Sequence, residues 1–314
     1  MFVPFISSKY STSRKRRYLE RRKGGGGGGK GGGGGSSGGG RVGGSGTSAS
    51  GGGRTSSVST GGGTSRSATS FGNGGGSVSN IPSGSLFAGR TQGGGTRNQV
   101  YGTSGYGSGY PGVSGLGVAS RGFPFFFWPI AWGGAAGVGS AAFLHNREYG
   151  NPDNSSRPGG PMMFATFVSS SSQNTTFHVV SDNTTVTDLI SDIFSNCSSS
   201  INNSSSTTST PLTFNDSDPS APNAQSAIQY YRASSVVLTL DGYNNSATWG
   251  NTTDSTPDTP LPSNIDGTLR DCLNATIGNA VPLVDGGLKT WSNPTNVPGL
   301  IALVWVVLHL SSVV

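Results

Sequence analysis

Residues Thr176 to Cys197 read TFHVVSDNTTVTDLISDIFSNC, and within this stretch the hydrophobic pattern changes its period. TFHVVS is short and rich in β-formers, as a strand should be. Beyond it, Val186, Leu189, Ile190, Ile193, Phe194 and Cys197 recur at steps of three and four, which line one face of a helix. Thr185-Val186-Thr187-Asp188 supplies a capping-box-like start to that helix. Upstream, Met163 to Ser169 (MFATFVS) alternates, with Phe164, Thr166 and Val168 on one side, and the polar link SSSSQNT suggests a hairpin between the two strands.

Downstream, residues 198–223 form a Ser/Thr/Asn/Pro loop, and Ala224 to Tyr231 reads as a short helix. Ser234 to Leu240 (SSVVLTL) is the strongest strand, with Asp241-Gly242 turning the chain after it and a polar loop over 243–262. Ser263-Asn264-Ile265-Asp266 caps a second helix whose inner face is Ile265, Leu269, Cys272, Leu273 and Ile277. The expected fold is therefore a small α+β domain over 145–285, with about three antiparallel strands and two to three helices. The two cysteines, Cys197 and Cys272, sit on apolar helical faces and can meet if the helices pack side by side on the sheet. An even count in a chain rich in glycosylation sequons favours one disulfide between them.

The N-terminal half is different in kind. Of the 54 glycines, 40 lie between Gly24 and Gly122, where aliphatic residues are isolated and never periodic. Such a segment is expected to be a flexible coil, because it buries too little apolar surface to offset its backbone entropy. Residues 1–122 carry a net +14 and residues 123–314 a net −8, which together give the +6 of the whole chain. The expected organisation is a basic segment (1–23), a disordered Gly/Ser-rich region (24–122), an apolar segment (123–144), the α+β domain, and a C-terminal spacer and tail (286–314). A basic arm beside an acidic domain suits contact with polyanions or a membrane surface.

N-x-[ST] sequons fall at Asn154, Asn174, Asn183, Asn196, Asn202, Asn203, Asn215, Asn244, Asn251 and Asn274, all outside the Gly-rich half. Their density points to a lumenal location. At the C-terminus, Asp285-Gly286-Gly287 offers small residues for an attachment site, Leu288 to Pro298 a spacer, and GLIALVWVVLHLSSVV an uncharged tail. This is the pattern for glycolipid (GPI) attachment at Asp285, with Ser292 as second choice. The N-terminal MFVPFI is too short for a signal-peptide core, so the secretory reading needs either a preceding segment or an internal signal anchor. Phe123 to Leu144 (FPFFFWPIAWGGAAGVGSAAFL) is long enough to cross a bilayer, although Pro124, Pro129 and its glycines weaken it as a helix. The alternative for this run is an apolar linker that packs on the domain or lies in a membrane interface.

Catalytic signals are weak. Gly107 to Gly112 matches G-x-G-x-x-G but lacks the strand and helix that let such a loop hold pyrophosphate. His145, His178 and His309 have no metal-ligand spacing, and the cysteines lack C-x-x-C partners. A Ser-His-Asp site using His178 is allowed only in the sense that any serine-rich chain allows one. The expectation is a non-enzymatic, membrane-associated glycoprotein of the secretory pathway and cell surface, with no cofactor and no metal. The alternative is an intracellular nucleic-acid-binding protein, for which Arg14-Lys15-Arg16-Arg17 is the main signal, though the RGG and RNP patterns are missing.

The segments RGFPFFFWPIAWGG, REYGNPDNSSRPGGP, TTFHVVSDNTTVTDLI and YYRASSVVLTLDGYNN, between Arg121 and Val284, resemble a family of Gly-rich fungal proteins with no assigned activity. That resemblance implies an architecture and no mechanism. In layout alone, without matching residues, the chain is also similar to animal prion proteins.

Overall fold

The structure, a computed structural model, describes residues 53–60, 64–113, 115–133, 141–144, 147–171, 175–250 and 256–286. The basic segment 1–23, residues 24–52 and the tail from 287 lie outside these. In chain order the elements are β1 (Thr55–Ser59), β2 (Ser65–Thr69), β3 (Ser79–Asn80), β4 (Thr91–Gln92), β5 (Met162–Val168), β6 (Thr176–Asp182), α1 (Asn183–Cys197), β7 (Leu212–Thr213), β8 (Ala227–Tyr231), β9 (Val236–Leu240), α2 (Gly267–Ala280) and β10 (Leu283–Val284). Single 3-10 turns lie between some of them.

The main sheet has the order β7-β5-β6-β9-β8 and is antiparallel throughout. The three strands expected from the sequence form its centre. Cross-strand pairing sets which side chains share a face: Phe167 opposes Phe177, which opposes Leu240. This face meets the helices, since Phe167 packs on Phe194 of α1 and Tyr231 reaches Asn274 of α2. All five residues of β9 are buried, so the second face is covered as well. Tyr230, on that second face, stacks with Tyr106 and accepts a hydrogen bond from the Trp132 indole. The residues that complete the core therefore come from before position 145.

This corrects the sequence reading at two places. From Gly53 on, the Gly-rich stretch is part of the fold, and its isolated aliphatics Val58, Ala68, Val100 and Val118 are fully buried. The glycines help to make this possible. The Phe125 ring lies where a Cβ on Gly95 would be 2.6 Å away, and Phe126 stands in the same relation, at 2.7 Å, to Gly76. Secondly, Phe123 to Trp132 is buried, apart from the half-buried Pro124, without forming a helix, and no helix among the described residues is long and apolar enough to cross a membrane. The packed-linker alternative describes these residues. Arg157 holds the run in place, its guanidinium donating to the carbonyls of Trp128, Pro129 and Tyr149.

The hairpin turn from β8 to β9 is unusual. Arg232, Ala233 and Ser234 all take positive φ, at 51°, 49° and 59°. Each non-glycine residue in this region costs about 1–2 kcal/mol. Residues from the N-terminal half restrain the turn: Arg232 N donates to Val100 O, Gly107 N to Ser234 Oγ, and Ile130 N to Ser234 O. Gly107 itself has φ +99° and runs so close to Gly117 that a Cβ would strike the Gly117 carbonyl. Below the turn, Arg232 is fully buried, stacked 3.4 Å above the Phe127 ring centroid and paired with Asp182.

Two boundaries also differ. The cap of α1 is Asp182, whose Oδ1 accepts from Thr185 N at 2.9 Å, so the helix begins before the Thr185 box. Ala224 to Tyr231 makes one 3-10 turn and then β8, since its apolar residues serve the two faces of a strand. The cap of α2 is Asp266, inside the expected motif.

Candidate functional site

The Cys197–Cys272 disulfide joins the end of α1 to the middle of α2, with Cα atoms 5.8 Å apart. The helical faces inferred from periodicity are the ones that meet. Closing a chain separation of 75 residues stabilises the domain by about 4 kcal/mol in the chain-entropy model.

The sequon asparagines are spread over the surface of the same domain. Asn183, Asn196, Asn203, Asn215 and Asn244 are exposed, and Asn154, Asn202 and Asn274 are half-buried. Asn174 and Asn251 lie outside the described residues. At Asn154, Asn202 and Asn215 the side-chain Oδ1 accepts from the backbone N–H of the serine two residues on, at 2.9, 3.2 and 3.0 Å. These are Asx-turns spanning the sequon tripeptide, with the amide oxygen engaged and Nδ2 at the other end of the group. Asn183 opens α1, and the hydroxyl of its sequon partner Thr185 is buried against Asp182. Asn196 precedes the disulfide, and its carbonyl oxygen lies 3.6 Å from Cys272 Sγ.

At Asn244 the oxygen is held differently: the Trp249 indole N–H donates to Oδ1 at 2.7 Å. At Asn274 the Tyr231 hydroxyl donates to Oδ1 at 2.6 Å, and Tyr101 donates to the backbone carbonyl. The sequence reading associates none of these three aromatics with a sequon. Trp249, five residues beyond its asparagine, was near enough to have been noticed, whereas Tyr101 meets Asn274 only through the fold.

At the C-terminal end, β10 pairs with β2. Asp285 Oδ1 accepts from Gly74 N at 2.7 Å, and Gly286 N donates to Gly74 O. Ser292 lies outside the described residues.

His178 is half-buried on the sheet face opposite the helices. Its Nδ1 bonds the hydroxyl of Thr166, its cross-strand partner, at 3.0 Å, and its ring meets the edge of Phe164. Burial lowers its pKa and the Asp241 charge partly offsets this. Such a bond is an ordinary cross-strand pair. Residues Pro219 to Asn223 border a cleft beside it. Among the described residues no three His, Cys, Asp or Glu side chains converge as a metal group. His145 and His309 lie outside them.

The structure defines a disulfide-linked α+β domain with antiparallel sheets. No family model, no curated protein and no solved structure matches the chain.

Proposed function

We propose that this protein is a non-enzymatic, membrane-associated glycoprotein of the secretory pathway, with a structural or interaction role at the cell surface. The observation that carries the reading is the Cys197–Cys272 disulfide within a domain whose sequon asparagines stand largely at its surface. Disulfides form and persist in oxidising compartments, where Asn-linked glycans are also added. The Asx-turns at Asn154, Asn202 and Asn215 support the same reading by presenting the sequon amides in turns.

Membrane association rests on the glycolipid-type tail. Attachment at Asp285 would remove the Gly286 bond to Gly74 and leave no spacer before the lipid. Attachment at Ser292 keeps that bond and retains residues 287–291 ahead of the lipid, with a shorter spacer before the apolar tail, and is the site we favour. The basic N-terminal segment would make weak contacts with polyanions. A nucleic-acid-binding role rests on Arg14-Lys15-Arg16-Arg17 together with the Gly-rich tract.

The test is gel mobility of the full chain from a eukaryotic host, before and after enzymatic removal of Asn-linked glycans. A downward shift is expected. A well-expressed chain that does not shift would end the secretory reading. Release from membranes by a phosphatidylinositol-specific phospholipase separately tests the anchor.

A further inference from the structure

Among the described residues, every tyrosine and tryptophan is buried except two. Tyr101 is 43% exposed and Trp249 is 37% exposed. Both stand beside sequon asparagines. Trp249 Nε1 donates to Asn244 Oδ1. Tyr101 packs on Tyr231, with ring centroids 5.7 Å apart, while Tyr231 donates to Asn274 Oδ1. Tyr101 also lies along α2 so closely that a Cβ on Gly278 would run into its ring.

We propose that Trp249 and Tyr101 are seats for the first N-acetylhexosamine of Asn-linked glycans on Asn244 and Asn274. The proposal rests on the glycoprotein reading above. At Asn244 the Trp249 indole itself fixes the amide by its oxygen; at Asn274 the buried Tyr231 hydroxyl does so, with Tyr101 packed on the Tyr231 ring. Nδ2, the atom the sugar joins, is the other end of that planar group, so the first sugar ring begins beside the aromatic surface. A pyranose has an apolar C–H face, and covering an exposed ring with it removes apolar area from water. The sugar comes from a lipid-linked diphosphate donor: the Nδ2–C1 bond forms, the C1–O bond to the diphosphate breaks, and one amide proton leaves. Asn203 and Asn215, both exposed, provide the comparison.

The experiment treats full-length protein from a eukaryotic host with an Asn-glycan amidase, without denaturant, and follows each site by glycopeptide mass spectrometry. Glycans on Asn244 and Asn274 should be released roughly three- to tenfold more slowly than those on Asn203 and Asn215. Trp249→Ala should abolish the lag at Asn244 alone, and Tyr101→Ala the lag at Asn274 alone. Trp249→Leu keeps apolar bulk without a ring; it should lose the lag too, and decides the matter if the alanine variant does not fold. Unchanged lags in these variants would overturn the proposal. So would bare Asn244 and Asn274 in a chain occupied at Asn203 and Asn215, with the glycoprotein reading left standing. A chain bare at every sequon would overturn both.

Discussion

Arg232 reaches Asp182 at 2.7 Å, with the guanidinium fully buried and the carboxylate nearly so. The same guanidinium donates to Ser235 Oγ and Pro282 O, and burial lowers its pKa to about 10 against the pull of Asp182. One ion pair thus ties the β8–β9 turn to the cap of α1 and to the chain leaving α2. Asp182→Asn keeps the capping ability, because asparagine caps well, but strands a buried cation. It should cost about 3–5 kcal/mol in urea unfolding. Arg232→Met should cost a similar amount, and the double variant should fall short of the sum by about 2 kcal/mol. Strict additivity would show that the two groups do not act together.

The part played by the Gly-rich stretch has a direct test in Gly107→Ala. The substitution places a side chain at positive φ and drives its Cβ into the Gly117 carbonyl. A loss of about 3 kcal/mol is expected, combining backbone strain with overpacking. A coil would tolerate the change, so an unaltered urea midpoint would contradict the close packing of Gly107 on Gly117.

Chain length offers a coarser version of that test. A chain beginning at Gly53 keeps the covering of the second sheet face. One beginning at His145 loses Tyr106, Phe127, Ile130 and Trp132, all buried. The first should give dispersed amide resonances and a cooperative melt. The second should be insoluble, or bind a hydrophobic dye without a cooperative transition.

His178 makes stability depend on pH. Its folded-state pKa lies below the ordinary value of 6.5, so the unfolded chain takes up the proton first. Stability is full above 6.5 and declines as pH falls toward the folded pKa. Burial raises the pKa of Asp188 and Asp192, despite Arg54 close by, and these act in the opposite sense at lower pH. His178→Gln should flatten the decline just below pH 6.5 in a series of urea midpoints. An unchanged slope would assign the dependence to another group.

The legible parts of this protein were those built from local repetition. Val186, Leu189, Ile190 and Ile193 announce α1 because one buried face recurs every turn, and the two cysteines lie on faces that must pack. Much of the rest depends on single contacts between distant segments. Val58, Val100 and Val118 carry no period, yet each fills one place in a core shared with residues made much later. Glycine reads as flexibility in a sequence, and here several glycines are where aromatic rings come down on the backbone, as at Gly95 and Phe125. Of the candidate sites, the sequons and the disulfide could be read directly, but Tyr101 could be associated with Asn274 only after folding.

The pairing of β10 with β2 has a consequence for synthesis. The Gly74–Asp285 bond closes over 211 residues, and chains emerge from the ribosome N-terminus first. At about 5–20 residues per second, β2 waits on the order of ten to forty seconds for its last partner. Until α1 emerges, with Asp188 and Asp192 to meet Arg54 and Ser56, β1 and β2 form a lone hairpin, which is marginal in water. The domain is therefore completed only once β10 has emerged. On the proposed secretory route, the glycosyltransferase would meet an open chain, with Asn274 as accessible as any other asparagine. The clasp that finishes the fold would then close around sugars already in place.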